Sequence, residues 1–311
     1  MKTKRILHIT NGQVLTDYLQ SLKYEGDTLT WQEMLCEGPT IAKIDSDEFL
    51  DVRKAFLKEY YDIEVNTAEV KSEISKLDSA NDYDEIVLWF EYDLFCHINL
   101  IGVMNLIHQK EITTPLSLVC SGRVDGNDRL TALPELKERQ LHQHYKARRL
   151  LTEDDMQLMI ALWRTYNSKD HNIFKMYITE RTDFKYLSNC LKAHLKRFPD
   201  SVSGLSTLET NILKLIDEKR IVSEGQLLGY CLNHQGYYGF GDLQFKRMLK
   251  YLASYFEMKD KSYQLTEHGK RAITGITNEA SIVKNTMIYG GVNRLDYHFD
   301  VAQNKLINPK A

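Results

Sequence analysis

The chain has 311 residues, 43% hydrophobic and 27% charged, the balance of an ordinary globular protein long enough for more than one core. Its formal net charge of −3 hides an asymmetry: residues 1–120 hold 11 Lys+Arg against 21 Asp+Glu, and residues 121–311 hold 29 against 22. No apolar run approaches the ~20 residues that cross a bilayer, and five scattered cysteines with no CxxC pair argue against a disulfide framework or a zinc ribbon.

Met1–Arg5 is basic but runs straight into Ile6–Ile9, too short for a signal-peptide apolar region and without a small-residue cleavage site. A cytoplasmic protein with no membrane partner is therefore expected. Arg5–Thr10 is a short apolar run without helical period, a buried strand ended by Asn11-Gly12. Val14–Tyr24 carries Val14, Leu15, Tyr18, Leu19 and Leu22 on one face, a helix. Thr28–Trp31 reads as a second strand, and Glu37-Gly38-Pro39 as a loop. Two helices follow, over 45–61 and 67–77. Ile86–Phe90 is the clearest buried strand, Glu91-Tyr92-Asp93 follows at once, then a helix to about His108, and Pro115–Cys120 is a fourth strand. Strands alternating with helices, each strand apolar throughout, predict a parallel sheet covered on both faces. Trp31 and Trp89 are expected in its core.

The Gly-containing stretch 121–128 reads as a linker, which places an α/β domain over 1–122. Residues 123–203 have helical texture: 135–150, 152–166, 173–179 and 186–198. A winged-helix-like module is expected over 204–275. It has a helix opened by Ser206 with Glu209 in a capping box, a second helix over 223–232 and a third over 240–256. A hairpin around Lys259–Ser262 completes it. A β-hairpin tail over 276–311 turns at Gly290-Gly291 or at Arg294-Leu295.

Ligands of open parallel sheets sit beyond the carboxyl ends of the strands. The residues placed there are Asn11 and Gly12 after the first strand, Glu33 and Glu37 after the second, Glu91 and Asp93 after the third, and Cys120–Gly122 after the fourth. Asn11-Gly12 at a helix start offers backbone N–H groups to an anion, and gathered carboxylates offer hard oxygen to a divalent cation or serve as acid and base. Arg53, on a helix able to fold over that edge, is the candidate to pair with a carboxylate or an anionic ligand. Asn11, Gly12, Glu37, Arg53, Glu91 and Asp93 form the expected ligand site, with no catalytic residue, cofactor or metal ligand set assigned. The dinucleotide fingerprint, the P-loop, the GxSxG elbow, HExxH and the kinase set are all missing from the sequence.

In the basic half, Lys246, Arg247 and Lys250 lie on the helix that enters the major groove in DNA-binding winged helices, and Lys146, Arg148 and Arg149 make a second cluster. Residues 204–275 nevertheless hold ten Lys+Arg against eight Asp+Glu, few charges for displacing phosphate counterions. Nucleic acid is thus a weaker expectation than internal docking or homo-oligomerisation.

His8–Gly12, Trp31–Pro39, Arg53, Leu88–Leu94, Leu195–Pro199, Gly204–Ser206 and Gly290–Val292 together resemble the bacterial family known as domain of unknown function 1835. The ordered motifs cover nearly the whole chain. It departs from the family's pattern at Gln13, Gln32 and Cys96-His97, where Asp or Asp-Gln is common. The resemblance implies a fold and a shared site but no activity. Two functions are therefore expected. One is a nucleotide- or phosphate-directed, metal-assisted small-molecule site in the α/β domain. The other is a ligand-sensing regulator or interaction protein with a winged-helix-like output module.

Overall fold

A computed structural model describes residues 4–124 and 129–309. Met1–Thr3, Lys310–Ala311 and Asp125–Asp128 of the expected linker lie outside them. The fold is mixed α/β, divided into two compact units over Met1–Asn167 and Ser168–Ala311.

The first unit is built on strands β1 (Ile6–Asn11), β2 (Asp27–Trp31), β3 (Glu85–Trp89) and β4 (Leu116–Val119), all parallel. A short antiparallel strand, β5 (Arg149–Leu150), closes the edge in the order β2-β1-β3-β4-β5. The compact unit thus takes in residues beyond the expected boundary at 122. Crossovers between parallel strands need helices. They are α1 (Gln13–Ser21) after β1; α2 (Asp47–Tyr61) and α3 (Thr67–Ser75) between β2 and β3; and α4 (Leu94–Gln109) between β3 and β4. Two more, α5 (Glu138–Lys146) and α6 (Glu153–Tyr166), complete the unit. The expected helix over 135–150 is shorter because Arg149–Leu150 pairs with β4 instead.

Alternation along the strands divides the core. Val87, Trp89 and Val119 face Leu15 and Leu19 of α1 and Leu133, Leu136 and Leu141, while α4 is buried almost all round. Trp31 and Trp89 both lie inside. Two members of the second basic cluster are paired locally: Arg148 grips Glu85 through two bonds of 2.6 and 2.8 Å, and Arg149 pairs with Asp155 at 2.6 Å, while Lys146 is exposed.

The second unit contains α7 (Phe174–Thr179), α8 (Leu187–Leu195), α9 (Thr207–Glu218), α10 (Glu224–Asn233) and α11 (Asp242–Tyr251). The hairpin of β6 (Phe256–Lys259) and β7 (Ser262–Leu265) follows, then α12 (Glu267–Ile273). Ser206 and Glu209 cap α9 reciprocally, at 3.3 and 2.6 Å. The third helix is shorter than expected, because Gly241 caps its start and a 3₁₀ turn at Ala253–Tyr255 follows its end. Leu243 of this helix is exposed. The tail forms two antiparallel pairs, Ile288–Gly290 with Val292–Asn293 and His298–Asp300 with Lys305–Ile307. Among the described residues no helix is long and apolar enough to cross a membrane.

Candidate functional site

Strand order fixes where the crevice of the first unit lies. From β1 the chain moves to β2 on one side, then returns to β3 on the other. Crossover helices leaving in opposite directions open a gap above the carboxyl ends of β1 and β3. Asn11 ends β1, and Glu91 and Asp93 follow β3. These residues therefore meet at the one point where the topology makes room.

Asp93 caps α4, its carboxylate accepting the Cys96 backbone N–H at 2.8 Å. One turn into the helix, Cys96 brings its thiol to the same spot. Donor atoms of Glu91, Asp93 and Cys96 all lie within 4.8 Å of one another. Asn11 donates its side-chain amide to Cys96 Sγ at 3.0 Å and accepts from Asn99 at 2.8 Å. Asn99 also donates to the Glu33 carbonyl at 2.6 Å and accepts the Leu35 N–H at 3.0 Å. Glu91 accepts the Leu133 N–H at 3.2 Å.

The electrostatics follow from burial. Asp93 and Cys96 are each 5% exposed. Removal from water, and then the neighbouring Asp93 charge, push the Glu91 carboxyl up to about 8. Asp93 is likewise raised by burial, as is the Cys96 thiol, with the two carboxylates adding to it. His97, enclosed beside them, is held down to about 4 by burial and stays neutral. At neutral pH this cluster retains protons that a cation would displace.

Glu37 and Arg53 form a neighbouring network. The buried Arg53 guanidinium pairs with Glu33 at 3.0 Å, and donates to the carbonyls of Glu37 at 2.8 Å, Pro39 at 3.1 Å and Met34 at 3.1 Å. It lies 4.8 Å from the centre of the Phe56 ring. Gly38 permits this packing: its φ is +83°, and a Cβ there would come within 2.5 Å of the Phe56 ring. The Glu37 carboxylate accepts the Tyr61 hydroxyl. Arg53 thus pairs with a carboxylate, as expected, but the carboxylate is Glu33, and the rest of the fork holds the loop after β2. Asn99 and Glu33 connect the two networks.

Gly12 adopts φ +97° at the start of α1, a conformation other residues rarely take. Its own N–H is taken by the Trp31 carbonyl at 3.0 Å, so it is not the anion donor expected. The first turn of α1 has no side-chain cap and no acidic residue, and the space where a Gly12 side chain would stand is open. Gln13 and Gln32, beside it, are hydrogen-bonded to each other at 3.0 Å.

Cys96 and Asn99 are the site members that sequence reasoning did not select. Their signal is polarity on a helix that is buried almost all round. The basic trio of α11 does not form one surface. Lys246 and Lys250 are exposed, with Lys246 4.0 Å from Asp242. Arg247 turns inward, 3.4 Å from Asn285 and 5.6 Å from the Tyr251 ring centre. No known protein family matches the chain, and no characterised protein matches it either.

Proposed function

We propose that the carboxyl edge of the first unit is a metal-assisted site for a small phosphate-bearing molecule of the nucleotide class, within the family that the sequence resembles. The observation that carries this reading is the convergence of Glu91, Asp93 and Cys96 donor atoms within 4.8 Å at the reversal of strand order. Two carboxylates facing a phosphate repel it unless a cation intervenes. A mixed set of oxygen and sulfur donors suits a first-row transition ion such as Mn²⁺, Co²⁺ or Zn²⁺ better than Mg²⁺ or Ca²⁺. Asn11 would orient the Cys96 sulfur. The uncapped first turn of α1 supplies backbone N–H groups for the phosphate. No residue here stands out as a nucleophile, so the proposal is of binding first.

The test is titration calorimetry of the full chain with Mn²⁺, Co²⁺, Zn²⁺ and Mg²⁺, then with ATP in the presence of the ion that binds. Expected are saturable binding of a transition ion with proton release, weaker Mg²⁺ binding, and nucleotide binding only after the ion. Asp93→Asn keeps the helix cap and Glu91→Gln keeps the shape, yet each should lose the ion. Absence of saturable ion binding, or binding that survives both substitutions, ends the proposal.

A further inference from the structure

A cavity of about 660 Å³ opens at the opposite, amino edge of the first unit. Its walls include Lys4 and Ile6 at the start of β1, Tyr24 and Glu25 just before β2, and His142 and Tyr145 of α5. The volume falls in the range of small-molecule sites.

The aromatic wall is rigid. Tyr145 stacks on Trp89 with ring centres 5.4 Å apart, and Tyr24 stands edge-on to Tyr145 at 5.2 Å. The Trp89 indole N–H donates to His8 Nδ1 at 3.1 Å, and His8 Nε2 meets the Glu25 carbonyl at 3.2 Å. His8 is therefore the neutral tautomer protonated on Nε2. This fixes Trp89 and the rings leaning on it.

Within this wall one polar atom is unsatisfied. The Tyr24 hydroxyl oxygen is buried with no hydrogen-bond partner among the described residues. A buried hydroxyl without a partner costs roughly 1–3 kcal/mol, which a ligand group would recover once a shift of the ring turns the hydroxyl toward the cavity. Burial, and then the neighbouring tyrosines and Glu138, raise its pKa to about 12, so the hydroxyl stays neutral and can both donate and accept.

The remaining lining carries both signs of charge: Lys4, Lys23 and Arg139 are cationic, Glu25 and Glu138 anionic. A purely anionic ligand leaves the glutamates opposed to it. A purely cationic one leaves the lysines and Arg139 opposed. We infer that the cavity binds a small zwitterionic molecule of the amino-acid class, its carboxylate toward the cations and its ammonium toward the glutamates and the tyrosine rings. Tyrosine faces attract ammonium groups, and the orphan hydroxyl accepts from the ammonium or donates to the carboxylate. This inference does not rest on the cation site at the other edge.

The experiment is calorimetry and thermal denaturation of the full chain with each of the twenty L-amino acids. Matched amines without the carboxylate, matched acids without the amine, and inorganic phosphate are run alongside. At least one amino acid should bind saturably and raise the melting midpoint, with its matched amine and acid at least about tenfold weaker. Tyr24→Phe should leave the unliganded midpoint unchanged or higher and weaken binding about tenfold. Glu138→Gln and Arg139→Gln, at exposed positions, should each weaken it too. Equal binding of the amine, the acid or phosphate alone overturns the zwitterion assignment. Absence of any ligand effect, or full affinity in all three variants, overturns the site.

Discussion

Asn11 and Asn99 lie 88 residues apart in the chain and are joined side chain to side chain at 2.8 Å. Through this bond the end of β1 is tied to the first turns of α4. Asn99 is fully buried and uses both ends of its amide, on Asn11, the Glu33 carbonyl and the Leu35 N–H. Asn99→Ala leaves these groups unpaired. It should destabilise the chain by about 2–3 kcal/mol in urea denaturation. Asn99→Asp cannot donate to Asn11 and should recover little.

Arg53 and Glu33 have only 1% and 13% of their side chains exposed. Removing one partner of such a pair leaves an uncompensated charge, at about 3–5 kcal/mol. Arg53→Met should therefore fall in that range by chemical denaturation. Arg53→Lys should restore less than half, because a single ammonium cannot serve Glu33 and three carbonyls at once. A full recovery by Lys would mean that charge alone holds the loop.

The Glu91 carboxyl carries a sign for pH dependence. Its folded pKa, about 8, lies above the ordinary value of 4.5, so between those limits the folded chain holds a proton that the unfolded chain has lost. Stability from this group is complete below pH 4.5 and is lost as pH rises through about 8. Glu91→Gln removes the loss, and its stability advantage over the parent should grow across this window. The comparison is of melting midpoints at several pH values in the presence of a chelator. A bound transition ion should reverse the trend, because it requires the deprotonated ligands.

Buried histidines act in the opposite sense. His97 is held at about 4 by burial. His194 is held well below its ordinary 6.5 by burial and then by Arg197. Unfolded, both take up protons near pH 6.5, whereas folded they do not, so their contribution is present above pH 6.5 and is lost as pH falls toward 4. In a Glu91→Gln background, where the opposing carboxyl is gone, urea midpoints should drop over that range. His97→Gln should flatten the slope, and an unchanged slope would contradict the neutral buried state.

Glu209 and Arg294 form a fully buried ion pair at 2.6 Å. Glu209 also accepts from Tyr251 at 2.9 Å and Asn285 at 3.0 Å. Arg294→Met should cost about 3–5 kcal/mol. The double variant Glu209→Gln/Arg294→Met should cost less than the sum of the two single variants, a coupling read from a double-mutant cycle.

Lys246→Ala and Lys250→Ala remove exposed charges and should alter stability by less than about 0.5 kcal/mol. Arg247→Ala removes a side chain that contacts Asn285 and Tyr251 and should cost more. Duplex DNA should show no retardation at moderate salt. A steep salt slope that disappears in Lys246→Ala/Lys250→Ala would reverse this expectation.

Periodicity and capping residues alone located the strands of the parallel sheet, most of the helices and the Ser206–Glu209 cap. These features are local: the alternation of apolar residues states which face is buried, and a cap needs only three residues of spacing. The placement of Asn11, Glu91 and Asp93 at strand ends was legible for the same reason. Strand order was not, because nothing in Ile6–Asn11 records that β2 lies on one side and β3 on the other. That order alone brings Asn11 to Cys96, 85 residues away. Nor does sequence tell which carboxylate Arg53 serves, or that Arg247 turns inward while Lys246 and Lys250 face out. Such choices depend on partners contributed by distant segments once the core has closed. The burial that moves Glu91 to about 8 likewise exists only when β3, α4 and the segment around Leu133 exclude water together.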